Sequence, residues 1–445
     1  MVYSLIAFLL ALIPFVVFDG IGDGIRTPKE IASIIGFILI IGFSRAHLKK
    51  PFKNKFLFIF WGWCLLTVFF GEYFIPVHLP KNIIVNMSAS IFAWKYLYVI
   101  TLVVFAIDSI AAYEPEDGYN CFKKLGATLF FINKSIKDHI HTIASAVNWC
   151  VIILGTYCIL QAFGIDDFFR VASNYTDWIA QTPYEGAFTH RIVATIGNPS
   201  ILGTWFAMCL PVSLYLRNKL GVLGFILGII VICMTKSSTA IVGACIAVSF
   251  YLYFNYKFIG DLMKVVLIIS IFVGSIVMGH YFFLKRVKSE NAFYIKCENT
   301  LQKLIDKKDG FLDGTNRIAI HKETWKVLLK RPLVGLGFGS FEQLIGLDPV
   351  IYEKLNLENW RELHDEFGQI WFATGLVGLV LFLAFIISTY ARFLKSVTPE
   401  SIFLASSLMG FLAMSFTLFP MRVAPTSFYG AIFTGLLLNV TRRTE

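Results

Sequence analysis

The sequence predicts an all-α integral membrane protein, with about 12 transmembrane helices and a large, partly helical external loop, because each span needs about 20 apolar residues. Three observations lead there. Hydrophobic residues fill 57% of the 445 positions and charged residues only 15%, which excludes an ordinary soluble domain. Apolar segments recur near 3–18, 31–44, 56–72, 90–112, 141–163, 200–216, 220–234, 238–256, 265–284, 365–389, 400–419 and 426–440. Lys and Arg collect in the short connections between alternate segments, as they do on the cytoplasmic side of membrane proteins.

The first segment reads as a span. It lacks a basic leader, and Phe18-Asp19-Gly20 is a poor cleavage site. The block from Arg45 to Lys53 follows the second span. Lys123, Lys124, Lys134 and Lys137 follow the fourth. Arg217 and Lys219, then Lys257 and Lys264, then Arg392 and Lys395, then Arg442 and Arg443 complete the basic set. A multi-pass chain of this pattern puts all of them on one side, with both termini cytoplasmic. Only Thr235-Lys236-Ser237 separates the seventh and eighth segments. Residues 1–445 thus form a single polytopic domain with two large external loops, 164–199 and 285–364. The second is basic as well, but long loops translocate largely regardless of charge.

The net charge of +10 is accounted for by orientation and lipid headgroup contact, so no nucleic acid partner is implied. Cys64, Cys150, Cys158, Cys209, Cys233 and Cys245 lie in apolar segments, Cys121 in a cytoplasmic loop and Cys297 outside. That arrangement gives no disulfide framework. No CxxC or Asp-x-Asp pattern points to a metal, and Asp306, Asp309 and Asp313 are spaced as a solvated turn rather than a calcium loop. No cofactor motif stands out. The absence of an internal repeat, and spans almost free of ionisable residues apart from Lys95, Asp108 and His280, weigh against an ion-coupled transporter.

The chemistry-bearing residues cluster in the second loop. Arg317 opens a predicted amphipathic helix, capped by Thr315 or Asn316, with Ile318, Trp325, Leu328 and Leu329 as its apolar stripe. Arg331-Pro332 ends it. Gly335-Leu336-Gly337-Phe338-Gly339 follows. With no strand before it and no Lys-Ser/Thr after it, this is a site of close backbone packing rather than a nucleotide fingerprint. Short helices are predicted from Ser340 to about Ile345 and near 349–356. His364 then stands at the start of the tenth span.

These motifs resemble the O-antigen ligase and O-antigen polymerase family of bacterial membrane glycosyltransferases. The family has a Pro-Leu-x-Gly-x-Gly run where this chain has Pro332 to Gly337. It has a His-Asn pair before an apolar helix with a Gly-x-x-Gly step, where this chain has His364-Asp365, then Gly375 and Gly378. Arg191-Ile192-Val193-Ala194-Thr195-Ile196-Gly197-Asn198-Pro199-Ser200 resembles the family's Arg-x-x-Gly-Thr-Phe-Gly-Asn-Pro-Asn segment, with Ala194 in place of a glycine. A family Ser-Arg pair corresponds to the turn at Lys236-Ser237-Ser238. Lys236 either replaces that arginine or snorkels to the interface; both readings stay open.

The resemblance implies a GT-C-like fold in the bacterial inner membrane. It implies glycan transfer from a polyprenyl diphosphate donor to an acceptor hydroxyl, without a metal. His364 is then the catalytic residue, and Arg191, Arg317 and Lys236 bind the donor diphosphate. O-antigen ligase, with lipid A–core as acceptor, is the first reading. A polymerase with a glycan acceptor or a protein O-oligosaccharyltransferase stays open, as does a lipid-linked glycan flippase from another class.

Overall fold

The computed structural model describes residues 2–16, 26–44, 55–74, 136–162, 192–235, 237–259, 317–337, 340–341 and 362–441. The predicted spans 90–112 and 265–284, the caps Thr315 and Asn316, the predicted helix near 349–356, and Cys121 and Cys297 lie outside these residues. Among the described residues every regular element is helical. They are α1 (Val2–Leu12), α2 (Arg26–Ser44), α3 (Lys55–Phe74), α4 (Ile136–Ala162), α5 (Pro199–Leu216), α6 (Lys219–Met234), α7 (Ser238–Ile259), α8 (Arg317–Leu328), α9 (Glu366–Lys395), α10 (Pro399–Met414) and α11 (Ala424–Val440).

Helix α5 is the centre. Trp205, Phe206, Met208, Leu210 and Val212 are all fully buried, and it packs against α4, α6, α7 and α10. A helix apolar on all sides belongs inside a bundle. Its start is cut sharply. Gly197 takes a left-handed φ of 81°, the Asn198 side chain accepts from the N–H groups of Ser200 and Ile201 at 2.9 and 3.2 Å, and Pro199 fills the first helical position. The predicted turn at Gly197-Asn198-Pro199 therefore forms. Lipid tails are as apolar as leucine, so these helices hold together by close packing. A Cβ on Gly410 would meet Ala247 at 2.7 Å, and one on Gly203 would meet Ala240 at 2.6 Å.

The outward faces carry Ile38, Phe58, Val222, Val242 and Ile387, all exposed, as a lipid-facing surface does. Among the described residues four helices are long and apolar enough to cross a membrane: Asp138–Ala162, Pro199–Leu216, Ser238–Asn255 and Glu366–Lys395. Every predicted span that falls on described residues coincides with a helix, although several are shorter than a full crossing.

The helices alternate in direction. Arg217 and Lys219 join α5 to α6, and Arg392 and Lys395 close α9. These groups share one end of the bundle, where Arg217 Nη2 donates to Asn255 Oδ1 of α7 at 3.0 Å. Asn439 Nδ2 donates to Tyr3 Oη at 3.1 Å, so α1 begins and α11 finishes together at that end. His364 lies at the other end.

Two spans differ from expectation. The tenth, expected over 365–389, runs to Lys395 and is interrupted at Gly375. The eleventh, expected to Phe419, stops at Met414, and residues 415–419 turn across the end of the bundle. The stripe on α8 also differs. Its buried residues are Ile320, Thr324 and Leu328, while Trp325 is 43% and Leu329 64% exposed. Thr324 can face inward because its hydroxyl donates to the Ile320 carbonyl at 2.7 Å.

Near the start of α5, Ala194 takes a left-handed φ of 44°. Gln161 Oε1 holds it there by accepting from the N–H groups of Val193 and Ala194 at 3.0 and 2.8 Å. Next to it, Thr195 Oγ1 donates to the Pro14 carbonyl at 2.6 Å. The left-handed region costs an L-residue about 1–2 kcal/mol. Glycine's greater freedom in the unfolded chain takes back part of that. Ala194→Gly should therefore stabilise the protein by roughly 0.5–1 kcal/mol, read as a higher thermal midpoint in detergent. A lower midpoint would place the strain elsewhere.

Candidate active site

The site is built on a broken helix. Gly375 in α9 has φ 69° and ψ −177°, and two rungs of the helical ladder are intercepted there. In a continuous helix the N–H groups of Leu376 and Val377 would bond the carbonyls of Phe372 and Ala373. Here those carbonyls accept instead from the N–H groups of Leu336 and Gly337, both at 2.9 Å. The N–H groups of Leu376 and Val377 donate to the carbonyls of Pro332 and Leu333 at 2.8 and 3.2 Å. Trp371 Nε1 donates to the Pro332 carbonyl at 3.0 Å, and Trp63 Nε1 of α3 to the Thr374 carbonyl at 2.7 Å. The glycine run is thus a backbone insert. A Cβ on Gly335 would sit 2.4 Å from the Gly375 nitrogen, and one on Gly375 would sit 2.2 Å from the Leu333 oxygen.

The break gives α9 two parts. Residues 376–395 extend about 30 Å at 1.5 Å per residue, a hydrocarbon thickness by themselves. Residues 366–374 form a stub. Against it lies a small separate core of Ile320, Leu328, Leu336, Phe341, Leu363 and Phe372. Trp325 meets Trp371 edge-on at 4.9 Å. This packing seats α8 beside the His364 turn.

His364 has a left-handed φ of 60°, uncommon for a residue with a side chain. Its ring stands edge-on to Phe419 at 4.7 Å. A polar web surrounds it. Glu366 is buried, and its carboxylate accepts from the Met421 N–H at 2.9 Å and from Arg422 Nε at 3.2 Å. Arg422 Nη1 pairs with Glu362 at 3.2 Å. Gln369 Nε2 donates to Glu362 at 2.9 Å, and Gln369 Oε1 accepts from the Leu363 N–H at 3.0 Å. The Glu366 N–H donates to the Ser415 carbonyl at 2.9 Å.

Asp365 caps α9, accepting from the Phe367 N–H at 3.1 Å. Burial pushes its carboxyl above the ordinary aspartate range. The Gly368 N–H, the His321 imidazole and the Phe367 N–H pull it the other way. His321 lies one turn after Arg317 on α8.

Of the predicted site residues, His364 is placed directly. Arg317 opens α8, next to the His364 turn. Arg191 and Lys236 lie outside the described residues, but their neighbours share this end of the bundle. Gly203, near the start of α5, approaches Thr235 Oγ1, which would lie 2.9 Å from an added Cβ. Thr417 Oγ1 donates to Thr239 Oγ1 of α7 at 3.0 Å. Residues 415–422 therefore touch both the start of α7 and the His364 turn.

Glu362, Glu366, Gln369, His321 and Arg422 were not among the sequence candidates. A signal for two of them existed. Glu366 is an acid at the start of an apolar helix, and Arg422 is a basic residue in a short connection between two others. Two such exceptions point to a pair.

Residues 223–383 match the family model described as O-antigen ligase. The match takes in α6, α7, α8, the glycine loop, the His364 turn and the break in α9. No curated protein matches the chain. The family match supports glycan transfer of the O-antigen ligase and polymerase type, by a helical membrane protein.

Asp and Asn are equivalent as caps, so Asp365→Asn should keep α9 capped, while Asp365→Ala should cost about 1 kcal/mol. With its carboxyl raised, the folded chain holds the Asp365 proton more tightly than the unfolded chain does. The stability this brings is full below the ordinary aspartate pKa of about 3.9 and is lost as pH rises through the raised value. Asn has no proton to lose. The thermal midpoint of Asp365→Asn should therefore climb relative to the parent as pH rises above the ordinary aspartate value and through the raised one. A flat difference would contradict the burial argument.

Proposed function

We propose that this protein transfers a glycan from an undecaprenyl diphosphate carrier to an acceptor hydroxyl at the periplasmic face of the bacterial inner membrane. O-antigen ligation onto lipid A–core is the preferred case. One observation carries the reading: the His364 turn lies at the end of the bundle away from the basic connections, beside α8 and the neighbours of Arg191 and Lys236. The positive-inside rule makes that end periplasmic and both termini cytoplasmic. We extend the fold to about 12 spans in a GT-C-like arrangement on the same spacing argument. In it, residues 164–199 and 285–364 are the external loops of a single domain.

The chemistry follows from the side chains. The departing diphosphate gains charge as the glycosidic bond breaks. Arg191 and Arg317, with Lys236, supply fixed cations to hold it. His364 takes the proton of the acceptor hydroxyl or orients it. No metal is needed in this scheme. An apolar crevice lined by Phe60, Phe382, Phe385, Phe411 and Met421 lies beside the Arg422 turn, and its lining suits contact with a lipid tail. A polymerase differs only in its acceptor. Deletion of the gene separates the two: a ligase loss leaves carrier-linked polymer without long chains on the core, and a polymerase loss leaves single repeat units.

His364→Ala should lower transfer by about 10²–10⁴-fold, the range for general acid–base catalysis, with normal membrane insertion. Arg191→Ala and Arg317→Ala should each abolish most transfer. Their Lys variants should recover little, because a point charge does not reproduce the planar fork. Chelators should leave transfer intact. Near-normal activity in His364→Ala removes the catalytic assignment, and metal-dependent activity removes the arginine scheme.

Topology is a separate check. A reporter fused within 300–310 should report the periplasm, and one after Lys53 or Arg443 the cytoplasm. A cytoplasmic signal from 300–310 overturns the whole proposal.

A further inference from the structure

Arg422 sits in a three-residue helical turn between α10 and α11, Pro420–Arg422. Neither the family match, which ends at residue 383, nor the scheme above gives it a role. Its guanidinium takes two carboxylates with different nitrogens: Nε to Glu366 and Nη1 to Glu362, each at 3.2 Å. Those glutamates stand two residues after and two residues before His364. Glu366 is almost wholly out of solvent, with 2% of its side chain exposed. Such a carboxylate is held only where charge and hydrogen bonds compensate it.

The histidine segment is held at further points. The Met421 N–H donates to Glu366 at 2.9 Å. The Phe419 ring meets the imidazole. Gln369 joins the Glu362 carboxylate to the Leu363 N–H. One short connection thus supplies both the guanidinium that pins the flanks and the ring that backs the imidazole. The backbone at His364 is left-handed, and such a conformation persists only when its surroundings over-determine it.

We infer that Arg422 is a positioning residue for His364: by bridging Glu362 and Glu366 it fixes the left-handed turn that presents the imidazole to the acceptor. The inference rests on the functional reading for its purpose, but not for its geometry. Lysine keeps the charge and loses the fork, so Arg422→Lys is the diagnostic change. Glu362→Gln keeps its bulk, removes one of the two charges, and touches the less buried partner.

The test uses full-length protein in detergent, labelled at histidine Cε1. The chain has 8 histidines, and the His364 resonance is assigned by its loss in His364→Ala. In Arg422→Lys and Glu362→Gln the His364 signal should shift or broaden, while that of His139, on the remote end of α4, stays put. In parallel, transfer from a synthetic polyprenyl-diphosphate-linked glycan should fall about 10²-fold in Arg422→Lys, the scale of a 1 Å misplacement. The donor concentration for half-maximal rate should not change. An unmoved His364 signal in both variants overturns the inference, whatever the activity. A moved signal with undiminished transfer also overturns it, since the turn would then not serve the reaction. Full transfer in His364→Ala is a different outcome: it sinks the catalytic reading while the signals still report on the clamp.

Discussion

Within hydrocarbon a backbone N–H or C=O has no water to turn to, so every interruption of a helix must be met by protein. The break at Gly375 meets this demand with four backbone bonds from the segment around Gly335, and two indole N–H groups complete the set. Much of the candidate site depends on it. The break frees the stub of α9 to leave the line of the span. The stub carries the turn with His364 and offers Phe372 to the small core that seats α8. The glycine loop is therefore a splice joining the long apolar helix to the layer that holds α8.

What could be read from the sequence, and what could not, follows from whether a property is local. Apolar runs are local, and the segments chosen for them coincide with helices wherever the chain is described. The cap at Asn198 and the turn before it are local too. The glycine run was correctly assigned to close backbone packing, yet its partner was not visible. Gly375 sits in an unbroken apolar stretch and looks like any small residue in a membrane helix. The stripe on α8 was misassigned because Thr324 counts as polar by composition. Its hydroxyl is satisfied by its own helix, so it packs as an apolar residue does. Arg422 is the clearest case of a non-local role. Its partner Glu366 lies 56 residues upstream, so the local sequence shows a charge in need of a partner without showing how the two meet. His364 stood out through its motif alone. The conformation that distinguishes it is surrounded by contacts from the connection between α10 and α11.

The charge layout ties the fold to the site. Basic groups in the short connections mark one end of the bundle, where they set orientation. At the other end, the described charges near His364 are engaged with one another rather than with bulk solvent. Glu362, Glu366 and Arg422 form one connected set, and Asp365 is occupied as a cap under the influence of His321. A site for a dianionic leaving group needs cations that hold their place without being neutralised by the scaffold. Arg422 is spent on the glutamates, so in the proposed scheme that task would fall to arginines from other segments.

The splice at Gly375 also bears on how such proteins diverge. Its four ladder bonds run from main chain to main chain, so they select residues only by what they lack: side chains at the two glycines, where a Cβ would collide. Leu333, 60% exposed, contributes a carbonyl and Val334, 45% exposed, contributes shape, and both turn their side chains outward. Drift at such positions alters the outer surface while the joint beneath stays the same. A lineage can in this way change that surface through neutral steps, without passing through a form whose helix has come apart.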